Sequence, residues 1–562
     1  MANILPSARA GDAFGPPTLV GHRGERVPAD QVLRGGRVLD GSGAAAFVAD
    51  VAIRAGRIAA VGPNLGRDGA EVLDIGGLTL VPGFIDMHSH SDYTLFSAPA
   101  AESRIGQGIT TEVTGNCGYS PAPVEPTRRQ ATLEWSGSLG PGVDLAWRTL
   151  AEFLDRLEAQ GTGTNVVPLV GHGAVRVAAM GFERRAPTAA ELEAMQRLVA
   201  EAMADGAFGL STGLIYPPAT YADTAEVTAL ARVVARHGGL YFTHMRDEAD
   251  GLFDAIREAL TIGRDGGLPV QISHLKAAGR RQWGRMGEVV GLIEEARRSG
   301  QDVAADFYPY EAGGTFLYGI LPPFLMEGGV GAMIERLRAD GTRQRVADAI
   351  AHGLDGWWNP VGAIGGWDEV TVVDVASARN KAALLGRSIG EIARTAGADP
   401  LDTALALLAE EHGSVQIVIR MMRDADIERV ARTPWAMMGT DGTAETPSAA
   451  DDHLTHPRSY GTTARLLADY VRDRATSTLA EAVHRMTGMP ARRLGLSDRG
   501  RIAPGLAADL VALDPAAVAD LATYDRPHVP PRGFVHVLVN GEPALRDGAF
   551  TQVRSGRVLR RR

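Results

Sequence analysis

Apolar residues recur along this chain in two rhythms. Near the start, "QVLRGGRVLDGSG" and "FVADVAIRAGRIAAVGPNL" are short β-rich runs punctuated by glycine, the pattern of antiparallel hairpins. Near the end, "ADLVALDP" and "GFVHVLVNGEPALRDGAF" behave alike around Asn-Gly and Asp-Gly turns. Between these ends, "TAAELEAMQRLVAEAMADGA", "YADTAEVTALARVVARHGG", "GLFDAIREALTIGRDGG" and "GEVVGLIEEARRSG" carry apolar residues at helical spacing and mostly stop at glycine. Short apolar strand candidates lie around them: "FIDMHSH", "TTEVTGNC", "NVVPLVGHG", "FGLSTGL", "LYFTHM", "VQISHL", "VAADFYPY" and "WAMMGTDG".

Eight strands alternating with helices predict an α/β fold, a (β/α)8 TIM barrel. His244, His274 and Asp306 are each about one strand–helix unit of roughly 30 residues apart. The two β-rich ends predict one small β-sandwich domain built from both termini. The expected layout is a leader over 1–30, sandwich over 31–82, barrel over 83–490 and the rest of the sandwich over 491–562. The interval from Tyr310 to Trp435 is too long for one crossover. Its portion from about 311 to 430, with Trp357, Trp358 and Trp367, reads as a lid subdomain inserted between strands seven and eight.

Composition narrows the classes. At 562 residues the chain exceeds the roughly 250–300 at which single cores stop growing, so several domains are expected. A formal charge of −10 argues against nucleic acid or an anionic membrane as partner. No run approaches the roughly 18 apolar residues of a spanning helix, and residues 1–30 do not read as a secretory signal. A single cysteine, Cys117, excludes an intramolecular disulfide framework and fits a reducing, cytoplasmic compartment. The expected partner is a small molecule; homo-oligomerisation stays open. Lysine occurs only at Lys276 and Lys381, so a lysine beside His274 stands out.

The chemistry begins at "PGFIDMHSHSDYTLF". Alternate residues of a strand face one way, which sets His88 and His90 in one row with Asp86 and Asp92. In a barrel the strand C-terminal ends converge on one face. His88 and His90 end strand one, Cys117 strand two, His244 strand five, His274 strand six and Asp441 strand eight. Thiolate plus imidazole suits Zn²⁺ better than Mg²⁺ or Ca²⁺, which want oxygen. Taken alone, Cys117 reads as a small buried hydrophobe, although its polar surroundings "TGNCGYSPAP" favour the rim. His172 in "VGHGAVR" reads either as substrate-facing or as a structural histidine in a Gly-rich turn. His237, His352, His412, His484, His528 and His536 receive no chemistry, and His453 falls in the long loop after Asp441.

The segments "GFIDMHSHSD", "TGNCGYSPAP", "FGLSTGLIYPPATYA", "THMRDE", "SHLKAAG", "DFYPYEAGGT", "MMGTDG" and "HPRSYGT" resemble the N-acyl-D-amino-acid deacylase (D-aminoacylase) family of the amidohydrolase superfamily, from about Gln31 to the C-terminus. The resemblance implies a tightly held zinc on Cys117, His244 and His274, and a second, weaker position at His88, His90 and Asp441. It implies Asp441 as the group that moves the proton, and Lys276, Tyr308, Arg458 and a hydroxyl near Thr315 as the receptor for the substrate carboxylate. The D-preference rests on the resemblance alone. The loop "TAETPSAADDHLTHPR" before Arg458 is longer than the family pattern leads one to expect. Strand four, "AFGLSTGL", offers no lysine to carboxylate, against hydantoinase or dihydroorotase chemistry. Two other readings stand beside the deacylase: a relative cleaving another amide, such as an acylated dipeptide or aromatic amide, and a catalytically inactive barrel.

Overall fold

The structure is a computed structural model and describes residues 28–66, 69–136, 142–447 and 453–561. Most of the expected leader, 1–27, lies outside the described residues, as does the middle of the loop before Arg458, 448–452. No described helix is long and apolar enough to cross a membrane.

Eight parallel strands run in chain order around a barrel. They are Phe84–Asp86, Ile109–Thr114, Asn165–Pro168 continuing as Val170–Gly171, Gly209–Gly213, Leu240–His244, Val270–Ile272, Val303–Phe307 and Ala436–Met438. The ring closes where Met87 N–H donates to Met438 O at 3.1 Å. The third strand breaks at Leu169, after Pro168, which has no N–H to give the ladder. The expected helices form at Ala189–Ala204, Thr224–Arg236, Leu252–Gly266 and Met286–Arg298. Thr188 with Glu191 makes a reciprocal capping box at the first of them.

The chain ends build one nine-stranded hydrogen-bonded sheet. Its N-terminal strands are Gln31–Val38, Phe47–Arg54, Arg57–Gly62, Glu71–Asp74 and Thr79–Pro82; its C-terminal ones are Leu510–Leu513, Phe534–Val539, Glu542–Arg546 and Ala549–Phe550. The two sets join where Leu510–Leu513 pairs antiparallel with Thr79–Pro82. The last residues leave this sheet and return to the barrel, with Gly556 bridging Thr162 and Val558 bridging Val166.

The insert carries its own antiparallel sheet, ordered Ala312–Phe316, Val415–Arg420, Val370–Val375. Six helices between Val330 and Glu410 pack around it. Gly313, Thr315, Val373 and Ile417 of this sheet face the same cavity as the barrel-mouth histidines.

Barrel and sheet domain are joined by a buried polar seam. Asp509 accepts from Asn165 Nδ2 of the third barrel strand at 3.1 Å and from Asn540 N–H at 2.7 Å, and pairs with buried Arg499. Burial pushes the Asp509 carboxyl up against the pull of Arg499. Arg499→Met therefore leaves a buried carboxylate unpaired, a loss of about 3–5 kcal/mol. Denaturant unfolding at neutral pH should show a lowered midpoint, with the deficit shrinking as acid protonates Asp509; equal midpoints at every pH would refute the seam's role.

Candidate metal centre and active site

Cys117 sits at the middle of the barrel mouth. Its Sγ lies 3.3 Å from His88 Nε2, 3.6 Å from His244 Nδ1 and 3.5 Å from His274 Nε2. His90 Nε2 and His88 Nε2 lie 3.1 and 3.5 Å from Asp441 Oδ1. The six side chains thus form two overlapping ligand groups, His88–His90–Cys117–Asp441 and Cys117–His244–His274, sharing the sulfur.

The backbone is bent to achieve this. Cys117, His274 and Asp441 all have left-handed conformations, with φ of 52°, 35° and 54°. For non-glycine residues such strain costs on the order of 1–3 kcal/mol each and collects where function requires it. The fourth strand ends in Gly213, where a Cβ would stand 2.2 Å from the Cys117 carbonyl oxygen. The Cys117 turn therefore fills the space that a side chain at that strand end would need.

Electrostatics favour a thiolate. Burial pushes the Cys117 thiol up, but the surrounding imidazoles, His88 foremost, outweigh it and hold the group well below its ordinary range. The donor set is thiolate, imidazole and carboxylate, the zinc-type mixture. A tetrahedral ion with Zn–S near 2.3 Å and Zn–N near 2.0–2.1 Å sets sulfur and nitrogen about 3.5 Å apart, the spacing that Cys117 keeps from its three histidines. The residues fit a zinc-class centre.

A second layer fixes these rings. Glu248, four residues after His244, is buried; its Oε1 lies 3.1 Å from His274 Nδ1 and its Oε2 3.5 Å from His244 Nε2. One carboxylate thus faces the outer nitrogens of both rings, the arrangement that leaves their inner nitrogens free to ligate. Lys276 Nζ donates to Glu248 Oε1 at 2.7 Å. Burial raises Glu248, but Lys276 and then His244 hold it far below the ordinary carboxylate range. On the other side, Asp306 lies 3.3 Å from His88 Nδ1 and accepts the His274 N–H at 2.7 Å.

Asp86, in line with the strand-one histidines, does not join the cluster. It accepts from the N–H groups of His88 and Thr440 at 3.0 and 2.8 Å, and burial raises it to about 6. His172 opens a helix directly after the third strand and does not line the cavity; its Nε2 lies 2.8 Å from Glu226, which also pairs with Arg176.

The predicted carboxylate receptors line the same cavity. Arg458 Nη1 forms an ion pair with Asp441 Oδ2 at 2.7 Å, and Nη2 donates to Gly314 O at 3.3 Å. The Tyr308 ring lies beneath both cations, 4.9 Å from the Arg458 guanidinium and 5.8 Å from Lys276 Nζ. Thr315 Oγ1 is 2.8 Å from Tyr216 OH. His456 holds this corner, accepting the Arg458 N–H on Nδ1 at 3.0 Å while Nε2 lies 2.9 Å from Ala312 O. Sequence reading missed Glu248 and His456. The available signal was their place within "THMRDE" and "HPRSYGT", which gave them no role.

A closed parallel barrel whose mouth gathers a cysteine, four histidines and an aspartate is the scaffold of a metal-dependent hydrolase. The chain belongs to the amidohydrolase family, whose model matches residues 71–544. It is 37% identical over 534 residues to the D-aminoacylase of Alcaligenes xylosoxydans xylosoxydans, covering 95% of this chain and 98% of the relative. A solved D-aminoacylase with a binuclear metal centre superposes with a TM-score of 0.79 at 36% identity, over 95% of this chain and all of the other. The N-acyl-D-glutamate deacylase of Bordetella bronchiseptica, solved with zinc and a phosphonate mimic of the tetrahedral intermediate, gives 0.78 at 33% identity, again over 95% and 100%.

If Glu248 orients the two rings, Glu248→Gln weakens metal affinity about 10- to 100-fold. Competition with a chromogenic chelator measures it, and unchanged retention would discount the bridging carboxylate.

Proposed function

We propose that this chain is a zinc-dependent N-acyl-D-amino-acid deacylase, hydrolysing the amide to a carboxylate and a free D-amino acid. The observation that carries the reading is Cys117 Sγ within 3.6 Å of three histidines, beside an aspartate paired to a buried arginine. In this reading Cys117, His244 and His274 hold the principal zinc, and His88, His90 and Asp441 the second position. Zinc bound here supplies Lewis acidity toward the amide carbonyl and lowers the pKa of water.

The chain's own residues do the rest. Asp441 takes a proton from the attacking water and delivers it to the leaving nitrogen, which departs poorly as an anion. Arg458 receives the substrate α-carboxylate through its planar fork. It also holds Asp441, so one guanidinium links recognition of the carboxylate to the placement of the base. Lys276 touches His274 Nδ1 at 2.6 Å as well as Glu248, so it braces that ring directly and anchors the carboxylate that also faces His244, while adding positive charge at the cavity wall. Tyr308 supports both cations by its ring face, and Thr315 offers a hydroxyl.

The substrate side chain we favour is neutral and apolar. Ile215, Phe316, Trp358, Val373, Ile417 and Met421 line the cavity. The two lining cations, Lys276 and Arg458, each already face a carboxylate of the chain. Trp358 at the wall keeps aromatic amides within the panel to be tested. The lone cysteine supports a cytoplasmic setting.

Hydrolysis of N-acetyl D- and L-amino acids by the metal-replete protein tests the reading: turnover is expected on apolar D substrates, and inactivity on every D substrate would end it. Asp441→Asn should cut kcat about 10²- to 10⁴-fold with the principal zinc retained, whereas near-normal turnover would remove the proton-transfer role. Arg458→Ala should lower kcat/KM by about 2–5 kcal/mol, as truncating one partner of a buried charge pair does; an unchanged value would place the carboxylate receptor elsewhere.

A further inference from the structure

A second convergence of metal-type donors lies outside the barrel mouth. Glu445 follows Asp441 by four residues, His453 comes later in the same loop, and His528 belongs to the segment between the sheet strands Leu510–Leu513 and Phe534–Val539. His528 Nε2 lies 3.4 Å and His453 Nε2 3.9 Å from the same oxygen, Glu445 Oε2. One donor atom from each of the three falls within 4.8 Å of the others. The two imidazoles stand edge to face, with centroids 4.9 Å apart at 72°, and each turns Nε2 toward that oxygen.

The carboxylate is held in place for this. Glu445 Oε1 accepts the Thr443 hydroxyl at 2.8 Å, and its backbone N–H donates to Ser103 Oγ at 2.9 Å. Its other oxygen, Oε2, and His528 Nε2 are both buried atoms without a hydrogen bond. They face one another at a spacing suited to a shared cation, since nitrogen and oxygen ligands about 2.0–2.2 Å from a tetrahedral zinc sit roughly 3.3–3.5 Å apart. Two imidazoles and one carboxylate suit zinc-class ions; Ca²⁺ and Mg²⁺ prefer all-oxygen shells, and no thiolate is present to select Cu(I).

We propose that Glu445, His453 and His528 form a separate binding site for a divalent zinc-class metal, with water completing the shell. The site is independent of the Cys117 centre and of the substrate reading. It clasps the loop that begins at Asp441 and ends at Arg458 to the sheet domain. Both members of the active-site ion pair lie at the ends of that loop, so the clasp restrains the segment that carries them.

Equilibrium dialysis of the full chain against micromolar zinc, with bound metal counted by plasma mass spectrometry, tests this. His528→Gln and Glu445→Gln should each hold one equivalent fewer than the parent. In EDTA each variant sets its own baseline melting temperature, and zinc should then raise the parent further above its baseline than either variant above its own. Equal zinc content in the parent and both variants would overturn the site and leave an ion-pair cluster only. Two variants guard against one failing to fold, because either one's zinc count decides the matter.

Discussion

One sulfur atom sets the terms for the rest of the barrel mouth. Cys117 is buried, held toward thiolate and ringed by three imidazoles at 3.3–3.6 Å. Such a group of donors is stable without water only if a cation, or the charges around it, balances them. The structure supplies that balance in layers. Glu248 and Asp306 face the outer nitrogens of the rings, while Lys276 and Arg458 answer Glu248 and Asp441. Strain follows the same centre: three of the six clustered side chains sit on left-handed backbone, and the fourth strand gives up its side chain at Gly213 so that the cysteine turn can approach.

The insert supplies one wall of the cavity beside this centre. Its small sheet pairs Thr315 with Ile417 and brings Val373 to the wall, so a stretch of more than a hundred residues contributes one face of the cavity. Thr315 and Gln416 are the polar side chains of that face, beside the corner that Tyr308 and the His456–Arg458 turn build outside the insert. The insert's other lining side chains are apolar. The clustered metal-type donors therefore come from the barrel and much of the apolar wall from the insert.

The sheet domain meets the barrel side at two polar clusters among other contacts. The Arg499–Asp509–Asn165 seam buries charge at the junction with the third strand. The Glu445–His453–His528 cluster joins the sheet domain to the loop after the eighth strand. The seam links Asn165 to Asp509, 344 positions apart, and the cluster ties the loop that carries Asp441 to His528 of the sheet domain.

Much of the plan could be read from the chain. The barrel was legible because each strand–helix unit buries its own apolar face, so periodicity repeats locally. His88, His90, Cys117, His244, His274 and Asp441 were legible because strand ends of a parallel barrel must meet on one face. Glu248, His456 and the Glu445–His528 pairing were not, since nothing in their local sequence specifies which distant atom each will face. The insert's sheet was hidden for a related reason: Ala312–Phe316, Val370–Val375 and Val415–Arg420 pair across long separations without a hairpin turn to announce them. Sequence determined which chemistry is available and on which rim it gathers, because residue type and strand period are local properties. Tertiary structure alone decided which nitrogen faces the sulfur, which carboxylate braces each ring and which cations are already matched, because those depend on distances that only the folded chain sets.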